Sequence, residues 1–208
     1  MREGRGDLEF IRAAAHWQRW IRDMTFKFGS LHDMSGEEYR YGNIFAHEIY
    51  PDWSRVTIGA DDRQIPLMLD IAKRWKGPYG ILYVLVASRL GHGDGRYQSP
   101  DPCSFDDLEL FAYTFQEFFE KDGRHHLWFI DVPSNNRIIY DNHDLIYSYG
   151  DDDAVIAILE SRGFNEDSPQ IPAPHEHRFN QEHDKNEDEI MDYFKWIQFP
   201  LQEEHDEP

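Results

Sequence analysis

Residues 126–149 read HLWFIDVPSNNRIIYDNHDLIYSY. Apolar and aromatic residues gather there in three short runs, His126 to Val132, Arg137 to Tyr140 and Leu145 to Tyr149. The joints between the runs are Pro133-Ser134-Asn135-Asn136 and Asp141-Asn142-His143-Asp144. Asx side chains bond their own backbone and Pro presets a turn dihedral, so both joints reverse the chain. Three strands joined by tight reversals pair as an antiparallel meander. Alternation along the first run puts His126, Trp128, Ile130 and Val132 on one face and Leu127 and Phe129 on the other.

The pattern continues on both sides of the meander. Upstream, Tyr79 to Ala87 is nearly all apolar, as expected of an interior strand covered on both faces. Arg55 to Gly59 reads as a short strand, and Gln64 to Trp75 as a helix ended by Gly77-Pro78. Ser104 caps a helix expected from Phe105 to about Lys121, with apolar residues at spacings of three and four. His125, at the junction of that helix with the next strand, is expected to be exposed. Downstream, Asp151 to Glu160 reads as a helix, 165–174 as a proline-containing linker, and Asp184 to Ile197 as a last helix. Near the N-terminus, Leu8, Ile11, Ala14 and Ala15 mark an amphipathic helix capped by Asp7, while residues 30–54 look irregular. The whole chain, 1–208, reads as one α+β domain with a mixed or antiparallel sheet and helices packed mainly on one face. Within it, 1–54 is a helical or irregular region, 55–163 the core, and 164–208 the linker, last helix and acidic tail.

Charge and composition narrow the partners. Of 208 residues, 40 are acidic and 21 basic, a net charge of -19. Such a field repels nucleic acid and anionic membranes, and it draws a basic protein partner. Residues 182–208 hold ten acidic residues against two lysines, so the tail is anionic as well as the body. The single cysteine, Cys103, forms no intrachain disulfide, and the N-terminal residues carry no secretory apolar stretch. No apolar run is long enough to span a bilayer. A cytoplasmic location follows as the expectation; the oligomeric state stays open.

Two kinds of chemistry have candidate residues. Pro174-His175-Glu176-His177 places two imidazoles two apart, on one face of an extended segment, where they would hold a divalent transition metal together. The run from His175 through His177 to Glu182 also resembles the first metal motif of cupins, but the glycine that cupins place six positions earlier is Pro169 here. His126 and His143 would join that site only if the fold brought 175–177 against the meander. The second set is a binding surface made of Arg96, Tyr97 and Gln98, in a segment 95–100 expected to be mobile, with His126, Trp128, Tyr147 and Tyr149 on the meander. Asp141 to Asp144 reads first as turn chemistry and second as an acid–base pair. The glycines at 91, 93 and 95 lack the third glycine of a dinucleotide loop, and no nucleophile elbow, phosphate loop or His-Glu-x-x-His pair occurs.

The stretches Gly95 to Pro100, Asp122 to Trp128 and Ile138 to His143 resemble an uncharacterised bacterial family. In size, charge and build the chain is similar to the acidic immunity proteins of bacterial toxin systems. That resemblance implies a small cytoplasmic α+β protein that neutralises a basic toxin by binding it, with no cofactor and no catalysis. The alternative expectation is a metal-dependent or acid–base enzyme using His175 and His177.

Overall fold

The computed structural model describes residues 25–31 and 37–201. The helix expected from Leu8 and the end of the acidic tail lie outside the described residues. In chain order the elements are β1 (Phe28–Ser30), β2 (Ile44–Ile49), β3 (Ser54–Gly59), α1 (Gln64–Ala72), β4 (Tyr79–Leu85), β5 (Gly95–Gln98), α2 (Phe105–Thr114), α3 (Gln116–Lys121), β6 (His125–Asp131), β7 (Arg137–Tyr140), β8 (Ile146–Tyr149), α4 (Asp152–Ser161), β9 (Asn165–Glu166), β10 (His175–His177), α5 (Asp184–Tyr193) and β11 (Ile197–Phe199).

Nine strands form one sheet in the order β11-β5-β4-β6-β7-β8-β3-β2-β9, and β1 and β10 form a separate two-stranded ribbon. The expected meander is the centre of the large sheet: β6 pairs with β7 and β7 with β8, all antiparallel. Only the short β9 runs parallel to its neighbour, β2. One register row crosses seven strands as Phe45, Ile58, Ile146, Tyr140, Leu127, Tyr83 and Tyr97. All seven are buried in a single apolar core with Leu67, Met68 and Ile71 of α1, Phe111 of α2, Phe119 of α3, Leu159 of α4 and Ile190 of α5. The helices therefore cover one face of the sheet. This is the expected α+β architecture.

The opposite face carries the alternate residues. Its central row is Thr57, Tyr147, Ile139, Trp128, Leu82 and Gln98. A smaller apolar cluster sits there, built from Ile139 and Tyr147 with Leu145, Tyr41 and Phe28 of the ribbon. Phe28 thus ties the ribbon to the sheet.

Several local expectations are corrected. Residues 30–54 are not irregular throughout, because Ile44 to Ile49 pairs along its whole length with β3. Its alternation is disguised by His47 and Glu48, whose side chains are met by Asp152 and Arg55. The segment 95–100 is not a free loop: Gly95 to Gln98 is β5, held between β4 and β11. The helix after Ser104 breaks at Phe115, following Thr114, whose hydroxyl donates to Leu110 O at 2.7 Å. Such back-bonding bends helices. The last helix stops at Tyr193, and Ile197 to Phe199 returns as an edge strand. His125 is buried rather than exposed, because β6 begins one residue early and turns its ring into Tyr83, Phe118 and Phe119. That burial, with Lys27 and Arg124 nearby, holds its pKa well below the usual imidazole value.

A buried ion cluster locks α5 to the start of β6. The Arg124 guanidinium, fully buried, donates to both oxygens of Asp122 at 2.7 and 2.9 Å, to Asp184 at 3.2 Å and to Glu187. It also donates to Asn180 O at 3.0 Å. Removing the cation would leave Asp122 and Glu187 buried and uncompensated, which is more costly than never having buried the set. Arg124→Met is expected to lower the unfolding free energy by about 3–5 kcal/mol in urea titrations. A loss below about 1 kcal/mol would contradict this role for the cluster.

Candidate metal centre

Three histidines from two distant parts of the chain meet at the ribbon. In the β1–β10 pair, Phe28 faces His177 and Ser30 faces His175, so both imidazoles lie on the same side as the Phe28 ring. The β7–β8 turn, Asp141 to Leu145, brings His143 to that side. The three ring centroids stand 4.8, 5.2 and 5.3 Å apart, and Phe28 lies 5.3–5.5 Å from each. One nitrogen from each histidine lies within 4.8 Å of the others, and all three residues are half-buried.

The hydrogen bonds decide which ring nitrogen is left free for an ion. His143 Nδ1 meets Asp141 Oδ2, His175 Nδ1 meets Pro172 O and His177 Nδ1 meets Asn142 O, each at 2.9 Å. Carbonyl and carboxylate oxygens accept, so each Nδ1 carries the proton and each Nε2 presents a lone pair. This is the arrangement that metal-binding histidines use, with the second ring nitrogen anchored by an oxygen. His177 is pushed down to about 4, by burial first and then by the His143 charge, so no proton competes for its Nε2 near neutrality.

Asp141 organises the turn as well as the ring. Its Oδ1 accepts from the backbone N–H of His143 at 3.0 Å and of Leu145 at 2.8 Å. Burial pushes this carboxyl up, but the His143 hydrogen bond and these amides outweigh it and hold it below the usual range. It is therefore an anion, fully buried, one residue away from direct contact with any ion held by the imidazoles. Tyr41 supports the same loop by donating to His143 O at 2.9 Å.

Three imidazole ligands suit zinc, and also copper, nickel or cobalt. Zinc–nitrogen bonds of about 2.1 Å at tetrahedral angles need nitrogen atoms roughly 3.4 Å apart. The widest separation must therefore close by up to about 1.4 Å on loading, which small ring rotations supply. Three protein ligands leave a fourth position for water or substrate.

The two histidines singled out in the sequence thus share a site with the meander, through His143 and not His126. His126 is buried on the open face of the sheet, paired across β4 with Val84. Of the surface set, Gln98, Trp128 and Tyr147 fall in one register row, with Arg96 in the row of His126. Tyr149 lies beneath Arg137, 4.5 Å from its ring centroid. Tyr97 points the other way and is buried against Tyr83, its hydroxyl donating to Gly93 O. His143 was one of the two further histidines that the sequence allowed at this site; Phe28 and the anchoring role of Asp141 were not foreseen. The spacing Asp-x-His, which lets a carboxylate hold the ring two residues on, was the available signal.

No family model matches this chain, nor does any curated protein or any solved structure.

The depressed His177 has a consequence for the metal-free protein. Below about pH 6.5 the unfolded chain takes up a proton that folded His177 refuses until about pH 4, so stability falls across that window. Asp144, pushed up to about 7 by burial, acts in the opposite direction. The comparison must therefore be with His177→Gln: in chelator, wild type should lose more unfolding free energy than the variant between pH 7 and pH 4.5. Equal losses would contradict the burial of a neutral imidazole.

Proposed function

We propose that this chain is a metal-dependent protein that holds one divalent transition metal, zinc by donor type, on His143, His175 and His177. The observation that carries the reading is that all three Nδ1 atoms are committed to oxygen acceptors, so three Nε2 lone pairs remain for one ion. Bound zinc lowers the pKa of a coordinated water to about 7, which suits hydrolysis or hydration of a polar bond. The chain's own part is to fix the ligand tautomers, to place the buried Asp141 charge behind His143, and to back the site with the Phe28 ring. The histidines are half-buried, so solvent reaches the site. Among the two expectations from the sequence, the geometry favours the metal-dependent one.

A second reading keeps a specific observation of its own. At the β2–β3 hairpin, Tyr50 and Trp53 stack at 4.1 Å and are 41% and 46% exposed, next to Ile49 at 75%. Ile49 and Ser54 also line a cavity of about 370 Å³ with Asp151, Asp152 and Asp153. Exposed aromatics beside a carboxylate cluster form the kind of centre that anchors an arginine-bearing partner. This supports an immunity-type protein that binds a basic protein, and the two readings are compatible. Trp53→Ala should then abolish capture of a salt-sensitive basic partner without changing metal content; no such partner at low salt would remove this reading.

For the metal reading, protein purified without chelator should carry about one equivalent of zinc, and chelator should lower its melting temperature. His143→Ala, His175→Ala and His177→Ala should each lose the ion. Asp141→Asn should keep it, with affinity about 10–100-fold weaker. Full metal content in His143→Ala would overturn the assignment.

A further inference from the structure

At the β9 edge of the sheet, none of the histidines is involved in a second constellation. A cavity of about 320 Å³ is lined by Asn43, Asp62, Arg63, Leu67, Arg162 and Phe164. Three connections build it: the turn before β2, the passage from β3 into α1, and the turn from α4 into β9.

The cations there are placed against ordinary electrostatics. Arg63 occupies the position before α1, where the helix presents the positive end of its dipole, and its side chain makes no capping bond. No acidic residue lies in the first turn of α1. The neighbouring Arg162 is pushed below its usual pKa, by burial first and then by the charge of Arg63. Like charges therefore face one another across the cavity. Arg162 is partly compensated by an ion pair with Asp70. The Arg63 backbone carbonyl accepts from Leu67 N at 3.0 Å, but the Arg63 side chain has no hydrogen bond or ion pair among the described residues, and neither has the Asp62 side chain beside it on the cavity wall. Both arginines are exposed, so an anion reaches them directly from solvent.

The backbone adds to the cost. Residue 63 has φ 59 and ψ 40, the left-handed region, which Asn or Gly occupies more readily than Arg. Asn is also among the best residues at a helix N-cap, whereas Arg supplies no acceptor. Three local preferences thus argue for another residue at position 63, and none is served by Arg.

We propose that this cavity binds a compact oxyanion, the phosphate or carboxylate group of a small molecule, between Arg63 and Arg162. Both acids offer the paired oxygens that a guanidinium fork recognises. Asn43 contributes a donor: its Oδ1 already accepts from Asp61 N at 3.0 Å, which leaves its amide NH₂ for the ligand. Leu67 and Phe164 give the adjoining apolar portion of the ligand a surface. The unfavourable placement of Arg63 is then a stability cost retained for binding, the usual trade at functional sites.

The test is a crossing of stabilities between wild type and Arg63→Asn. In chloride, Arg63→Asn should melt at a higher temperature than wild type, because charge repulsion and the left-handed arginine are both removed. Sodium phosphate or sodium acetate, at ionic strength matched to the chloride control, should raise the wild-type melting temperature saturably. The same anions should bind Arg63→Asn about tenfold more weakly or worse by calorimetry, as expected for one lost charge-assisted contact. Zinc content should be equal in the two proteins. A response to one anion alone identifies the acid class and supports the site. No response of wild type beyond chloride, or an equal response in Arg63→Asn, would overturn it.

Discussion

The interaction on which the site depends is the buried carboxylate of Asp141. An unpaired carboxylate in this position would be strongly disfavoured, because its hydration is lost. It is tolerated because two backbone amides and one imidazole N–H converge on it. Those same bonds shape the β7–β8 turn and fix the ring of His143. Register and site are therefore set by one group: a slip in the turn would move Ile146 out of the core row and His143 away from the ribbon. The neighbouring bond from His177 Nδ1 to Asn142 O attaches the ribbon to this turn.

A wider division of labour follows from strand alternation. One face of the sheet is committed to the helices through a continuous apolar row, and its stability does not involve the histidines. The other face carries a smaller cluster in which Phe28 contacts both the sheet and all three imidazoles. The separation lets the ribbon and the turn carry polar chemistry without interrupting the main core. The buried Arg124 cluster plays the corresponding part just before β6, where charges are paired within protein and the fork geometry of arginine is fully used.

Much of this was legible in the sequence, for physical reasons that differ by element. The meander was legible because alternation and turn residues act over a few positions, and β6 to β8 need no distant partner to be recognised. The interior strand Tyr79–Leu85 and the capped helix after Ser104 were legible for the same reason. The ribbon was not: β1 and β10 are three residues each, and the pairing of Phe28 with His177 spans most of the chain. His143 could be named only conditionally, beside His126, since Asp141-Asn142-His143-Asp144 satisfies a turn so well that a ligand role adds nothing to the local pattern. β2 and β11 were obscured because their polar or edge positions break the apolar alternation, and their pairing comes from neighbours far along the chain.

The central claim, one ion on three imidazoles, is tested most directly by X-ray absorption at the zinc edge on the loaded protein. The account predicts three histidine nitrogens at about 2.0–2.1 Å, with imidazole outer-shell scattering and one further light atom. Changing His143 to Ala should remove one imidazole contribution or the ion altogether. A spectrum dominated by oxygen ligands without imidazole scattering, unchanged by that substitution, would contradict it.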